Sequence, residues 1–423
     1  MILLSRPGVC CSAGHNAEAV LAAVQNGDSS GITPVVTAGG RRFLAGRIPE
    51  EALPDIPPPF ANFHTPNNRI FRMVTAAISH IREEIHAVCA TYGPDRVAVC
   101  LGSCDNGSEA SLLAHQSYHT SGAFPSEYRL EFQNASLLAA YTARLCGVSG
   151  PVFTVATACA SSASAIIKAA ELVLSGVCDA AIAGGADLVS DTVLEGFAAL
   201  EAVSDTLCNP FSKNRRGITL GEGAAFFVVT QEALGHAEHS AKTAPTIALL
   251  GWGESADAHH MTAPRPDGSG AIRAMRSALA AAGLQPGAID YLNLHGTGTA
   301  QNDAMEALAM SEVFGKDNPP ASSTKPVTGH TLGAAGALEL AISWLTLAAG
   351  EPTLPPHCWD AEYDEKLPRL RFAERQSDVV PTRCMSNSFA FGGCNVSLIV
   401  GCGPKTEEHT WKREKTGSPL KPW

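Results

Sequence analysis

Short apolar runs and longer alanine-rich runs take turns along most of this chain, and that alternation limits its fold more than any other feature. RVAVCLGS (96–103), PVFTVATA (151–158), DAAIAGGAD (179–187), GAAFFVVT (223–230), PTIALLGWG (245–253), IDYLNLHG (289–296) and NVSLIVG (395–401) have the length and composition of buried strands. Between them lie NRIFRMVTAAISHIREEIHAVCATYG, SASAIIKAAELVLSG, SGAIRAMRSALAAAG, NDAMEALAMSEVFG and GAAGALELAISWLTLAAG. These have helical periodicity, and each ends on a glycine, a common C-terminal stop. Strand–helix alternation of this kind predicts α/β layers.

The polar stretch QEALGHAEHSAKTA (231–244) separates two such series. It reads as a linker between an N-terminal half, 1–240, and a C-terminal half, 241–403, whose sequences show no strong repeat. Residues 404–423 are polar and charged, with Pro and Gly, and read as a flexible tail. With 423 residues, 45% of them hydrophobic, the chain can bury a large core, as two domains or one duplicated one. The net charge of -11 argues against nucleic acid or anionic membrane as a partner. The 13 cysteines form no CxxC pairs, and the N-terminus has no long apolar leader, so reduced thiols in a cytoplasm are expected. No run approaches the ~20 apolar residues of a spanning helix. A soluble protein is the expectation.

Within TACAS (157–161), Cys159 falls between a strand and a helix and is flanked by small residues. A helix N-terminus favours a thiolate, so a lowered pKa and an accessible nucleophile are expected there. His295 ends the strand of YLNLHGTGTAQND, and His330 lies between an extended segment and a helix in SSTKPVTGHTLGAAGALEL. Two histidines with glycine-rich followers, together with a cysteine elbow, predict one convergent site. Lys325 precedes His330 in the same loop. Glu339 falls in an apolar helix, where it pairs with Lys325 or a histidine, or else faces solvent. In SNSFAFGGCNVSL (386–398), aromatic rings on a glycine turn can gate a pocket, and a tight turn before a core strand explains the same residues.

TACASSAS, PFSKNRRGITLGEGAA, DAHHMTAP, NLHGTGTAQND, SSTKPVTGHTLGAAGALE and NSFAFGGCN together resemble the elongating β-ketoacyl-acyl carrier protein synthases, in the family's order across most of residues 150–400. The resemblance implies a thiolase fold, two similar halves in a five-layered αβαβα sandwich. It also implies a dimer and a Cys159–His295–His330 triad, with Lys325 on the family's lysine and Phe391 on its gating phenylalanine. Backbone N–H groups of Cys159 and Phe391 would hold the oxyanion. Lys325 and Glu339 would fix the histidines, and no cofactor is implied. A monovalent cation sometimes found nearby in the family would take Asn293, Glu339 and Asn387. In VLEGF (193–197), Phe197 matches an aromatic wall of the acyl pocket, and Val193 stands where glycine is usual, which would narrow the pocket.

The departures point to a specialised branch, with an impression of aryl polyene-type pathways. Ala390 replaces a glycine and Cys394 a common threonine. NRRG replaces an acidic RDG, and Glu201 stands where a carrier-binding arginine often lies. An acidic acyl carrier protein would need a local basic patch on this acidic chain. Arg69 and Arg72, one helical turn apart, form one candidate, and Lys213, Arg215 and Arg216 another; the alternative is ordinary solvated charge. The partner in the dimer is a second copy or a related chain-length subunit. Two rival readings are a non-catalytic subunit of the same fold and a biosynthetic thiolase with Cys394 as its second cysteine.

Overall fold

A computed structural model describes residues 1–57, 69–105, 107–232 and 246–403. The linker expected at 231–244 therefore lies almost wholly outside the described residues, and the tail at 404–423 lies outside them entirely. In chain order the first half contains β1 (Ile2–Leu4), β2 (Gly8–Cys11), α1 (Ala17–Asn26), β3 (Ile32–Val36), β4 (Arg42–Gly46), α2 (Arg69–Ser79), α3 (Arg82–Tyr92) and β5 (Val97–Gly102). It continues with α4 (Ser108–Ser121), α5 (Leu137–Cys146), β6 (Val152–Val155), α6 (Ser161–Leu174), β7 (Ala180–Asp187), α7 (Asp191–Ala199), β8 (Leu220–Gly221) and β9 (Gly223–Thr230). The second half contains β10 (Ile247–Ala256), α8 (Ser269–Ala282), β11 (Tyr291–Asn293), α9 (Ala300–Phe314), β12 (Ala321–Ser322), α10 (Lys325–Thr328), α11 (Ala335–Ala349), β13 (Arg383–Phe389) and β14 (Cys394–Cys402).

Among the described residues the main sheet runs β12-β11-β13-β14-β10-β1-β9-β7-β5-β6, with β2 beside β9. The two ends of this order repeat each other. β6-β5-β7 and β12-β11-β13 are parallel trios. Each is continued by an antiparallel strand, β9 or β14, and then by the antiparallel first strand of its half, β1 or β10. β1 and β10 then pair antiparallel and join the halves. The helices repeat as well, since α6 leads into β7 as α11 leads into β13.

Three cores lie between the layers. Inward residues such as Cys100, Ala181, Phe227, Cys384, Val396 and Leu398 pack on α6 and α11 in the middle. Outward residues Val99, Ile182 and Phe226 pack on α2, α3 and α5, and Leu292, Met385 and Ile399 pack on α8 and α9. The result is helices, sheet, helices, sheet, helices. Both faces of each sheet are covered, which is why the strands read as continuous apolar runs instead of alternating ones. Leu332–Ala349 is long and apolar enough to cross a membrane, an exception to the expectation from sequence. It is 83% buried between the sheets and is a core helix of this fold.

The single helix expected over NRIFRMVTAAISHIREEIHAVCATYG is two. At the break, His80 and Ile81 donate to Ala77 and Ile78 in short i→i−3 bonds, and the buried Ile81 anchors the turn. Gly8 brings β2 so close to α2 that a Cβ there would lie 2.1 Å from the Ala77 carbonyl oxygen.

The Arg69 and Arg72 expectation needs correction. Arg69 is 5% exposed, and its Nε lies 3.0 and 3.2 Å from the carboxylate oxygens of the fully buried Glu222. Arg72 spends its donors on Glu50 and on the carbonyls of Leu53 and Pro54, at 2.6 and 2.9 Å. Both arginines hold the 48–54 segment onto α2 and do not present free charge.

Candidate active site

β6 ends at the elbow that carries Cys159. Ala158 takes φ 49°, an uncommon conformation for a residue with a Cβ. The Ser161 hydroxyl holds the turn by donating to the Ala158 carbonyl at 2.6 Å and accepting the Thr157 N–H at 2.9 Å. Cys159 is left at the entrance to α6, buried and facing a cavity of about 490 Å³. His295, His330, Phe197, Phe389 and Phe391 line the same cavity.

His330 is positioned by backbone. Its N–H donates to the Thr219 carbonyl at 2.7 Å, and its carbonyl accepts from Gly221 at 2.9 Å. Gly329, at φ 69°, passes so close to β8 that a Cβ would sit 2.7 Å from the Gly221 Cα. The outcome is His330 Nε2 3.0 Å from the Cys159 sulfur. His295 follows β11, with its ring centroid 5.3 Å from that of His330 and nearly perpendicular to it. One ligating atom from each of the three side chains falls within a 4.8 Å span.

The Lys325 ammonium is 1% exposed and bonds the Glu339 carboxylate, which decides between the partners open to Glu339 in the sequence. The same ammonium donates to the His295 carbonyl at 2.5 Å. The other Glu339 oxygen and the Asn293 side-chain oxygen are buried without a hydrogen-bond partner among the described residues. Oxygens of that kind suit the monovalent cation sometimes found nearby in the family, whereas the Asn387 oxygen accepts the Ser397 hydroxyl at 2.8 Å.

Electrostatics depart from the expectation at Cys159. Burial pushes its thiol up to about 12, against the pull of Lys325 and of the Phe391 N–H, which reaches the sulfur. Burial, followed by Lys325, holds both histidines well below 6.5, so they are neutral at pH 7. Neither Nδ1 has a partner among the described residues, so no hydrogen bond there fixes a tautomer. A protonated thiol next to a neutral imidazole can pass its proton across a 3.0 Å contact.

Besides Glu222, buried carboxylates that pin the site escaped the sequence reading. Glu306 accepts the N–H groups of His295 and Gly296 at 2.8 and 2.7 Å. Asp303 accepts those of Phe211 and Gly298 at 2.7 and 3.2 Å. Asp187 accepts from Cys104, Asp105 and Gly333, and so ties the turn after β5 to the segment after His330. Asp303 and Glu306 are one helical turn apart on α9, directly after GTGT. That spacing was the available signal.

The gating turn is tied down by backbone. Gly392 donates to Met261 at 2.7 Å, and Asp257 donates to Gly393 at 2.8 Å. Phe391 stacks on Phe197 at 5.7 Å. Val193 does not line the cavity. It sits one turn before Phe197 and packs on the cluster of Phe43, Val189, Leu194 and Leu332. Lys213 is exposed and paired with Glu362 at 2.5 Å. Arg215 lines the cavity but is held by Asp364 at 2.7 Å. Arg216 and Glu201, both exposed, line its outer part.

Residues 66–234 match the family profile "Beta-ketoacyl synthase, N-terminal domain", and residues 246–358 match "Beta-ketoacyl synthase, C-terminal domain". The 3-oxoacyl-[acyl-carrier-protein] synthase 2 of Staphylococcus aureus is 34% identical over 317 residues, 72% of this chain and 77% of that protein. The enzyme of the same name from Coxiella burnetii is 38% identical over 265 residues, 60% and 62% of the two chains. Among solved structures, the ketosynthase ApeO in complex with its chain length factor ApeC from Xenorhabdus doucetiae matches with TM-score 0.85 and 37% identity, over 95% of this chain and 98% of that one. The ishigamide ketosynthase/chain length factor matches with TM-score 0.82 and 28% identity, over 95% and 99%.

Proposed function

This chain belongs to the β-ketoacyl synthase family, and from that premise we propose how its own residues carry out the condensation. The protein is an acyltransferase, a β-ketoacyl-acyl carrier protein synthase with a thiolase fold. The observation that carries the mechanism is the 3.0 Å contact of the Cys159 sulfur with His330 Nε2, with His295 beside it at the floor of one cavity.

In the first step Cys159 attacks the carbonyl of an acyl-carrier thioester, and its proton passes to His330. The oxyanion is held by the N–H groups of Cys159 and Phe391. The carrier thiolate leaves and takes the proton, and the neutral imidazole is restored. A malonyl-carrier thioester then enters. His295 donates one N–H to its thioester carbonyl, and so does His330 once its ring proton has moved from Nδ1 to Nε2. The bond to the carboxylate breaks, CO2 departs, and its electron pair forms an enolate that both histidines stabilise. The enolate carbon attacks the acyl-Cys159 carbonyl, and the C–S bond breaks. The product is longer by two carbons, and Cys159 regains a proton from solvent. Lys325 and Glu339 keep His295 in place through its carbonyl.

Residues 1–240 and 241–403 serve as the two halves, the first supplying the nucleophile and the second both histidines. The partner for catalysis is an acyl carrier protein, and the partner in assembly is a related chain-length subunit, as for ApeO with ApeC; a homodimer is the alternative. The pathway is of the polyene or polyketide kind, and the setting is the cytoplasm. A thiolase reading finds no support in Cys394, which is not among the cavity-lining residues.

The test separates loading from decarboxylation. Cys159→Ala should take up no acyl group by intact mass spectrometry. His295→Ala should still be acylated, yet release CO2 from malonyl-carrier protein at least ~100-fold more slowly. Acylation mapped to Cys394 or Cys104, or full decarboxylation by the histidine variant, would overturn these roles.

A further inference from the structure

The other cations considered for carrier docking are occupied: Arg69 by Glu222, Arg72 by Glu50, Lys213 by Glu362 and Arg215 by Asp364. Arg216 is different. It is exposed, it lines the cavity that ends on Cys159, and it has no hydrogen-bond or ion-pair partner among the described residues. Val203 and Ile218 form a parallel bridge, and Ile218 donates to the Ala202 carbonyl at 2.8 Å. Glu201 and Arg216 lie two residues before the bridged pair on their two segments. Glu201 is exposed and lines the same cavity, and no ion pair within 4.0 Å joins the two among the described residues. At both positions the charge is opposite to the one usual among the synthases this sequence resembles.

We propose that Arg216 takes the phosphate of the carrier's phosphopantetheine arm, and that Glu201, which lines the same cavity, weakens the hold. This rests on the reading of the site as a carrier-fed ketosynthase. Such an arm delivers its thioester to the buried floor at Cys159 and leaves its phosphate at the exposed outer wall. On a chain of net charge -11, an incoming anion needs a local cation there. A guanidinium offers forked donors that fit phosphate oxygens, and Arg216 has none of them committed to a neighbour among the described residues. Glu201 repels the same phosphate and attracts Arg216 when no carrier is bound, so the site releases a spent carrier readily.

The probes are malonyl-phosphopantetheine and malonyl-pantetheine, which differ only in the phosphate, offered to the acylated full-length protein. Wild type should show a KM roughly tenfold lower for the phosphorylated thioester, the size of one charged hydrogen bond. Arg216→Ala should bring the ratio of the two KM values close to one, and Arg216→Glu should invert it. Glu201→Gln should widen it. The exchange Arg216→Glu with Glu201→Arg should recover it, a result that loss of folding cannot produce. A ratio that Arg216→Ala leaves at the wild-type value overturns the proposal. So does a raised KM for malonyl-carrier protein with an unaltered ratio, since Arg216 would then meet the carrier's own acidic surface. A wild type that condenses malonyl-carrier protein without any phosphate preference overturns Arg216 alone. One that condenses no malonyl thioester overturns the ketosynthase reading and this proposal with it.

Discussion

At Cys159 two opposing effects act on one thiol. Lys325 and the Phe391 N–H favour a thiolate, and burial opposes them and pushes the thiol up to about 12. The nucleophile is therefore made on demand by His330. Iodoacetamide, which needs a thiolate already present, should label Cys159 slowly at pH 7 and faster as pH rises past 9. Acyl loading should instead hold level from pH 8 down through 6.5, because burial keeps the His330 pKa well below that value. A loading rate that falls with a midpoint near 6.5, or rapid labelling at pH 6, would show the reverse balance. Glu306 gives a second test. Burial raises its folded pKa from 4.5 to about 7, against the pull of the Gly296 and His295 N–H groups. Between those values the folded protein holds a proton that the unfolded chain has released. The stabilising contribution of this linkage is complete below pH 4.5 and is lost as pH rises through 7. Glu306→Gln should flatten that part of the Tm–pH curve, cost about 1–3 kcal/mol for the N–H it leaves unpaired, and raise the malonyl KM through His295. An unchanged curve would mean that Glu306 does not titrate in this range.

Among the elements, the site was legible where side-chain type and backbone signal coincide. The strand-to-helix change at TACAS, the glycines after His295 and the helix after His330 all mark the turns that the structure brings together. The pinning carboxylates left only the one-turn spacing of Asp303 and Glu306 as a signal, because an acid on a helix reads as solvated until the fold buries it. Asp187 closes β7 among apolar residues, yet its role depends on Cys104 and Gly333, which are distant in sequence and adjacent only in the fold. Arg69 failed for the same reason, since Glu222 lies 153 residues away. Helical spacing put Arg69 and Arg72 on one side but could not reveal that the side is covered. The turn that follows α10 shows how narrowly an element can be set. Gly329→Ala would force a Cβ into β8 at φ 69°, with the Gly221 Cα 2.7 Å away. The variant should lose about 1–3 kcal/mol, read as a lower Tm, and should lose acyl loading more than ~10-fold as His330 shifts from Cys159. Full loading at wild-type rate would show that β8 yields instead.

Across the whole molecule, the duplication is the feature that the family resemblance carried and the residues of the two halves did not. The strand order of one half repeats in the other with the same directions, yet the halves share only the pattern of buried and small residues that many sequences satisfy. Topology is fixed by pairings far apart along the chain, such as β1 with β10, and no local signal records them. The repeated order also leaves two unequal edges. β12 is short, and its Ala321 and Ser322 are buried. β6 is the other edge, with Val152 and Phe153 at 40% and 47% exposure. A protein seldom leaves an apolar edge strand open, because its free N–H and C=O groups pair with whatever strand arrives. Cys159 lies just beyond this strand, so whatever covers β6 also steadies the elbow. A second thiolase-fold chain across β6 accounts for both features. Phe153→Lys places a charge on that edge without touching the cavity or the three cores. It should convert the assembly to single chains in size-exclusion chromatography coupled to light scattering, whether the partner is a second copy or a co-expressed chain-length subunit. Acyl loading should fall with it, and should return when protein concentration drives the chains back together. A Phe153→Lys protein that keeps its partner and its loading rate would put the interface elsewhere on the molecule.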